Sequence, residues 1–148
     1  MNTQYSDMPY AVSESEKHWA AATHWGGALL AFLTAWMVGV AGFVVPLGIQ
    51  LTMGRSSTFI SQHAKESMNF NLSMFIYAVV GVIIGIVLLG TSVLTLGLGL
   101  ILTLPAGFIL LLGYCALALT WLVCSIIGTL RAYEGREYHY PVTMRLIR

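Results

Sequence analysis

The polar side chains best suited to chemistry lie close together, between His63 and Asn71. His63 could exchange a proton or bind a metal ion, while Lys65 and Glu66 could bind a partner or a lipid head group. The same residues also suit a structural role, because Glu66 and Asn69 near a helix start can satisfy backbone amides and the helix dipole. Lys65 can reach toward anionic head groups from that position. Recognition and helix capping therefore stay open as alternatives for this cluster.

The sequence indicates neither a metal site nor an active site. His63 and His139, with Glu66 and Glu137 as possible carboxylates, lack the usual spacing of metal ligands. The chain contains no GxSxG motif, and its apolar segments hold no acid–base pair. We therefore expect no bound metal, no cofactor and no enzymatic activity.

The elements that must position the polar cluster are membrane helices. Of the 148 residues, 57% are hydrophobic and 9% are charged, whereas soluble domains carry about 25% charged residues. Charged residues and histidine are absent from Gly26 to Gly54, and again from Ser67 to Leu130. Uncharged runs of about 18 residues or more are typical of membrane spans. The sequence therefore predicts an all-α integral membrane protein, built as a helical hairpin or bundle.

Three transmembrane helices are predicted, with four as the alternative. The spans cover about 25–50, 71–93 and 105–130. The second and third are joined by an apolar turn near 94–104, because the glycine and proline breaks there leave no room for a full span between them.

The remaining segments are assigned by composition. Residues 1–16 are polar and are predicted to form a flexible tail, which leaves 17–148 as a single membrane domain. A short amphipathic helix is expected at about 56–69 in the cytoplasmic loop. Residues 131–148 form a basic tail at the membrane interface, suited to plain anchoring or to docking a protein. If that tail were helical, its apolar residues would face the bilayer and its arginines would face water.

Positive charge suggests how the chain is oriented in a bacterial cytoplasmic (inner) membrane. With three spans, Lys17 lies alone on one side, and the other side holds Arg55, Lys65, Arg131, Arg136, Arg145 and Arg148. The positive-inside rule then places the N-terminus outside and the C-terminus in the cytoplasm, although four spans also obey it, with a weaker bias. The three-span arrangement puts His18 and His24 on the opposite side from His63 and His139, and so excludes a site made of all four.

Two sets of residues follow as candidate sites. The first is a cytoplasmic cluster facing a partner or lipid, made of His63, Lys65, Glu66, Asn69, Arg131, Arg136, Arg145 and Arg148. The second is a set of small residues at four-residue spacing, made of Ala35, Gly39, Gly81, Gly85, Ala116, Thr120, Cys124 and Gly128. Small residues let membrane helices approach closely. They could pack the spans together, form homo-oligomer contacts or recur by chance.

Several of these residues also form a family pattern, made of Trp19, His24, Pro46, Leu47, Phe59, His63, Lys65, Glu66, Asn69, Phe70, Tyr140, Pro141 and the closing MRLIR. The pattern resembles small bacterial membrane proteins that are grouped as a domain of unknown function. That group is similar to the magnetosome proteins MamF and MmsF, and distantly to the Tic-twenty-like subunit of chloroplast protein import. The resemblance implies three or four helices in the inner membrane, no known enzyme activity, and roles from organelle assembly to protein translocation. Ser67 departs from the alanine expected in the family.

The sequence thus favours a non-enzymatic membrane protein that acts in assembly, or as an accessory subunit, through a basic cytoplasmic face. The alternative is a component of a transport or translocation system, such as a passive channel or lipid groove. A lipid-modifying enzyme is a third hypothesis without a supporting acid–base constellation. The expected partners are the bilayer and either another membrane protein or further copies of the chain, and no nucleic acid.

Overall fold

The computed structural model describes residues 11–33 and 38–148, with only the backbone described at 38–41. Within these residues the chain forms four α-helices: α1 Glu14–Leu33, α2 Val38–Thr52, α3 Thr58–Leu94 and α4 Leu100–Tyr133. An irregular tail follows α4 to Arg148. The predicted all-α class is confirmed for this part of the chain.

The predicted span over 25–50 is replaced by two shorter helices, α1 and α2, which form an antiparallel hairpin. A Cβ atom added to Gly27 would lie 2.8 Å from the carbonyl oxygen of Gly42, and one added to Gly26 would lie 2.9 Å from Val45 Cγ1. Glycine at these positions therefore lets the two helices approach closely. The uncharged run concealed this reversal because one span and a short hairpin have the same composition.

The helix α3 merges two elements that the sequence suggested were separate, the loop helix at 56–69 and the span at 71–93. Its start is capped by Ser57, whose hydroxyl oxygen accepts the Ile60 N–H at 3.3 Å. No glycine or proline separates the polar and apolar parts, so one helix of 37 residues carries both.

The turn between α3 and α4 covers only residues 95–99, which is shorter than the predicted 94–104. Leu96 and Gly97 adopt positive φ angles of 52° and 88°. The Gly97 N–H donates to the carbonyl of Ser92 at 2.9 Å, closing the end of α3. Pro105 lies inside α4 near its start and does not end the helix.

The beginning of α1, the beginning of α3 and the end of α4 lie at the same end of the molecule. Ala20, Ala21, Phe59 and Ala132 form one buried cluster there, and the His18 ring contacts the Tyr133 ring at 5.6 Å. The beginning of α1 and the end of α4 therefore lie together, whereas the predicted topology placed the segments before the first span and after the last span on opposite sides. The physical reason is the α1–α2 hairpin, which brings the chain back to its starting side. The predicted orientation in the membrane is not shown.

Two regions follow from this arrangement. We call residues 11–33, 38–77 and 121–148 the head, and residues 78–120 the distal hairpin. Apart from the turn, the distal hairpin contains only the far parts of α3 and α4. Many of its large apolar side chains are exposed, including Ile86 at 64% and Leu89 at 68%.

The distal hairpin belongs to the two helices in the described residues that are long and apolar enough to cross a membrane. Such exposed apolar surface is incompatible with the core of a soluble protein and fits contact with lipid. The apolar part of α2, Gly42–Thr52, is shorter. A count of three spans is not confirmed.

Candidate functional site

A buried chain of hydrogen bonds joins three elements in the head. Tyr140 of the tail contacts His24 of α1, with its hydroxyl oxygen 2.7 Å from Nδ1. His24 Nε2 lies 2.8 Å from His63 Nδ1 on α3. His63 Nε2 lies 3.1 Å from the carbonyl oxygen of Arg136, where the tail begins. The three side chains are almost fully buried, so His24 and His63 form one site, contrary to the sequence-based exclusion.

The direction of this hydrogen-bond chain follows from its last member. The Arg136 carbonyl can only accept, so His63 Nε2 carries the proton and the neutral His63 Nδ1 is an acceptor. His24 Nε2–H then donates to His63, which leaves His24 Nδ1 to accept the Tyr140 hydroxyl proton. Every polar side-chain atom of His24, His63 and Tyr140 has a hydrogen-bond partner when both histidines are neutral.

The surroundings keep water out of this chain. Phe70 stacks on Tyr140 with ring centroids 3.9 Å apart, and Phe59 covers His63 at 4.5 Å. A Cβ atom on Gly128 of α4 would lie 3.0 Å from the Tyr140 hydroxyl oxygen and 3.1 Å from His24 Nδ1. Burial raises the pKa of Tyr140 well above its usual range, so its hydroxyl remains a donor.

Acid is expected to destabilise the head through His24. Burial, and secondarily the neighbouring His63, hold the pKa of His24 well below its usual range. The unfolded chain therefore binds a proton that the folded chain does not, and stability is complete above about pH 6.5 and is lost as the pH falls below it. The expected loss is at most about 1.4 kcal/mol per pH unit for this proton. Thermal unfolding in detergent between about pH 7 and pH 5 measures it, and His24→Phe should flatten the slope. If His24→Phe kept the wild-type dependence of stability on pH, the assignment of this dependence to His24 would be wrong.

A second set of polar contacts fixes the tail along α3. Asn69, Ser73 and Tyr77 occur at four-residue spacing, which places them on one helix face. The Asn69 side-chain oxygen accepts the N–H groups of Leu146 at 3.0 Å and Ile147 at 2.7 Å, and its amide donates to the Ile147 carbonyl at 2.8 Å. These bonds engage only the tail backbone, as a neighbouring strand would.

Ser73 and Tyr77 continue the same face. The Ser73 oxygen accepts the Met144 N–H at 2.8 Å, and its own proton goes to the Asn69 carbonyl at 2.7 Å. The Tyr77 hydroxyl donates to the Val142 carbonyl at 2.9 Å. We call Asn69, Ser73 and Tyr77 the tail cradle.

Glu66 adds an ionic contact between α3 and the tail. Its Oε1 atom lies 2.8 Å from His139 Nδ1 and 3.3 Å from Arg145 Nε. Its Oε2 atom is buried and has no hydrogen-bond partner among the described residues. A buried carboxylate needs a counter-charge and hydrogen-bond donors, so Glu66 makes the position of the tail depend on the Arg145 guanidinium and on the His139 ring nitrogen.

Two further polar contacts tie α3 to the other helices. The Ser67 hydroxyl donates to the Thr23 carbonyl of α1 at 2.7 Å. The Asn71 side-chain oxygen accepts the Trp121 indole N–H of α4 at 3.0 Å. The segment from His63 to Asn71 is therefore the centre of the head, which explains its density of polar residues.

The structure separates the predicted cytoplasmic cluster into two groups. His63, Glu66 and Asn69 are buried against the other helices and the tail, so they do not face a partner or lipid. Lys65 is half-buried, and the arginines are at the surface: Arg131, Arg136, Arg145 and Arg148. Arg131 and Arg136 both pair with Glu134, at 3.3 Å and 3.1 Å. The tail is extended, so the amphipathic helix considered for it is not formed.

The predicted small-residue positions also differ among themselves. A Cβ atom on Gly81 would lie 2.7 Å from the Tyr114 hydroxyl, and one on Gly85 would lie 3.6 Å from Leu110, so both glycines face α4. Cys124 packs beside Phe70. Gly128 faces the hydrogen bond between His24 and Tyr140, whereas Ala116 is exposed and Thr120 is half-buried. Ala35 lies outside the described residues, as does the side-chain environment of Gly39.

Sequence reasoning missed His24 as the partner of His63 and Tyr140 as the partner of His24, and it missed Ser73 and Tyr77 as residues that bind the tail. The spacing of Asn69, Ser73 and Tyr77 was the available signal for the tail cradle, because polar groups four apart share a helix face. The pairing of His24 with His63 had no local signal, since it depends on how the hairpins pack.

Comparison with known proteins agrees with the resemblance to MamF and MmsF. The model of a family described as the magnetosome magnetite crystal formation protein family matches residues 15–147. Neither the curated proteins compared nor the solved structures match the chain, and the distant resemblance to the Tic-twenty-like import subunit is not shown. With nearly the whole chain covered, this membrane-associated protein belongs to the magnetosome magnetite crystal formation family.

Proposed function

We propose that the chain is a non-enzymatic membrane protein that assembles a complex at one membrane face, within the process that the family description names. The observation that carries the proposal is the distribution of charge. All seven Lys and Arg residues belong to the head: Lys17, Arg55, Lys65, Arg131, Arg136, Arg145 and Arg148. The distal hairpin contains no charged residue and no histidine. The head therefore offers the charged surface on which other proteins can assemble.

The positive-inside rule supports a cytoplasmic location for the head. With seven basic residues at the head end and none in the distal hairpin, the bias is stronger than for the three-span arrangement. In this orientation the beginning of α1 and the tail lie in the cytoplasm, and the turn at 95–99 approaches the opposite surface of the inner membrane or of a compartment derived from it.

This orientation also favours an indirect role in crystal formation. Iron ions and mineral surfaces are bound mainly by carboxylates, imidazoles and thiolates. The distal hairpin contains no carboxylate side chain and no imidazole. Its one thiol, Cys115, lies on the lipid-exposed side of α4. A crystal on the far side of the membrane would therefore be influenced through partner proteins rather than by ligands of this chain.

The buried polar groups support assembly rather than catalysis. His24, His63 and Tyr140 are fully engaged with one another, and the tail cradle is occupied by the tail. The transport alternative has weaker support, because hydroxyls in α3 and α4 bond to carbonyls of their own helix. Thr91, Thr95 and Thr120 are examples. Hydroxyls engaged in this way do not line a polar path.

The test is co-purification from native membranes in nanodiscs, followed by mass spectrometry. We expect the wild type to retain a defined set of proteins, and Arg55→Glu with Arg148→Glu to lose it, since both side chains are exposed on the head. The matched control, Arg55→Lys with Arg148→Lys, keeps the charge and should retain the set. Identical partners for both variants, or a wild type that purifies without partners, would contradict the proposal.

A further inference from the structure

We infer that this protein binds preferentially to, and stabilises, bilayers whose head-side surface is convex. The inference rests on how deeply each element of the chain enters the bilayer. It uses only the geometry of the head and the distal hairpin, so it does not depend on the proposed function.

Two hydrogen bonds between α3 and α4 mark where the bilayer begins and ends. Asn71 and Trp121 are bonded at the head end, and tryptophan is enriched at membrane interfaces. Ser92 and Thr103 are bonded at the turn end, with their hydroxyl oxygens 2.6 Å apart. These pairs lie about 27 to 32 Å apart along the two helices. This distance matches a hydrocarbon core of about 30 Å, so α3 and α4 cross the whole bilayer.

The described parts of the α1–α2 hairpin lie in the head-side leaflet. Gly27 faces Gly42, and a Cβ atom on Gly42 would overlap the Asn71 side chain, so all three lie at the level of the head-side interface. From Gly27, α1 continues for about 9 Å before it ends at Leu33. Phe32 is 78% exposed and Leu33 is 70% exposed there. These side chains extend into lipid about 9 Å below the interface. One leaflet is about 15 Å thick, so they remain within the head-side leaflet.

The tail occupies the same leaflet. It descends along α3 to Val142, which Tyr77 holds about 9 Å below the level of Asn71. It then returns to the interface, where Asn69 binds Leu146 and Ile147. Val142 is 69% exposed there.

The protein is therefore wider in one leaflet than in the other. Among the described residues, four helices and the tail displace lipid on the head side, whereas only α3 and α4 displace lipid on the far side. Shallow apolar insertion into one leaflet is sensitive to curvature, because bending spreads the head groups of that leaflet and relieves their crowding. A bilayer that is convex on the head side accommodates this shape at lower free energy than a flat one.

The experiment uses the full-length protein, reconstituted by detergent removal into equimolar phosphatidylethanolamine and phosphatidylglycerol. Cryo-electron microscopy gives vesicle diameter, and protease access to an N-terminal tag gives the fraction of heads facing outward. The wild type should give vesicles about twofold smaller than the variant Phe32→Glu with Leu33→Glu, which expels the hairpin tip from the leaflet. Most wild-type heads should face outward, and the variant should show no such preference.

A second variant removes the asymmetry by adding bulk to the far leaflet. Gly90 and Gly107 have open space around them, so Gly90→Trp with Gly107→Trp can widen the far side without changing the head. Its vesicles should be larger than those of the wild type. The charge control, Thr58→Glu with Gln62→Glu, changes exposed head residues and should behave like the wild type.

Circular dichroism and thermal unfolding show which variants are folded. If the hairpin-tip variant does not fold, the far-leaflet variant alone decides the outcome. Equal diameters and equal outward fractions for the wild type and the folded variants would overturn the inference. A second copy of the chain that filled the far leaflet would also give equal diameters, and it would likewise overturn the inference.

Discussion

Replacing His24 by phenylalanine should lower the free energy of unfolding by about 2 to 6 kcal/mol, because two buried polar groups lose their partners. The phenyl ring is larger than imidazole, so the substitution leaves no cavity. The Tyr140 hydroxyl then loses its acceptor on His24, and His63 Nδ1 loses its donor on His24. Each unsatisfied buried group costs about 1 to 3 kcal/mol. Thermal or denaturant unfolding in detergent, followed by near-ultraviolet circular dichroism of the head aromatics, measures the loss.

His18 provides the matched control for this substitution. It lies on the same helix but is exposed; its Nδ1 atom lies 2.6 Å from the Glu14 carbonyl oxygen, and its ring contacts that of Tyr133. His18→Phe should change stability by no more than about 0.5 kcal/mol. Tyr140→Phe supplies the partner variant: its effect should be non-additive with that of His24→Phe, because both break one bond. Additive effects, or a His24 variant as stable as the His18 variant, would contradict the hydrogen-bond chain.

Replacing Asn69 by alanine should release the end of the tail from the tail cradle. The Asn69 side chain makes three hydrogen bonds with the tail backbone, and their loss should cost about 3 kcal/mol of docking free energy. Where cleavage follows local opening, this corresponds to about a hundredfold faster proteolysis. Limited trypsin digestion at Arg145, followed by mass spectrometry, measures the rate.

Asn71 is the matched control, since it lies two residues away but contacts Trp121 and Ser67 rather than the tail. Asn71→Ala should loosen the contact between α3 and α4 and leave cleavage at Arg145 at the wild-type rate. Asn69→Asp keeps an acceptor oxygen and removes the donor. Its cleavage rate at Arg145 should therefore lie between those of Asn69→Ala and Asn71→Ala. If Asn69→Ala and Asn71→Ala gave the same cleavage rate, the tail cradle would not hold the tail.

Together these contacts give the polar segment near His63 a structural purpose. Its side chains bind α1, α4 and the tail rather than a soluble ligand. The recognition that we propose therefore rests on exposed side chains of the head, Arg55 and Arg148 among them.

The far parts of α3 and α4 could be predicted from the sequence because membrane spans depend on local composition. The uncharged run beginning at Ser67 is long enough for two spans, and the turn at 95–99 carries glycines at 97 and 99. The α1–α2 hairpin could not be predicted in the same way. Its reversal depends on the packing of Gly27 against Gly42, which no hydropathy pattern reports.

The candidate site was predicted in part for a similar reason. The sequence indicated the importance of His63, Glu66 and Asn69, because these polar residues lie next to an apolar run. It did not indicate the groups that they bind. Those groups are far away in sequence: His24 precedes His63 by 39 residues, and Ile147 follows Asn69 by 78. Once the two chain ends were placed on opposite sides, the pairing of His24 with His63 was excluded.

The most direct test of the account is to map which side of the membrane the head segments occupy. Single cysteines are introduced by Ser15→Cys, Ser56→Cys and Glu137→Cys in a chain carrying Cys115→Ala and Cys124→Ala. They are then labelled with an impermeant maleimide in vesicles of each orientation. The account predicts that all three positions react from the same side, because α1 and α2 form a hairpin. Reaction of position 15 from the side opposite to position 137 would contradict it and restore a single span over 25–50.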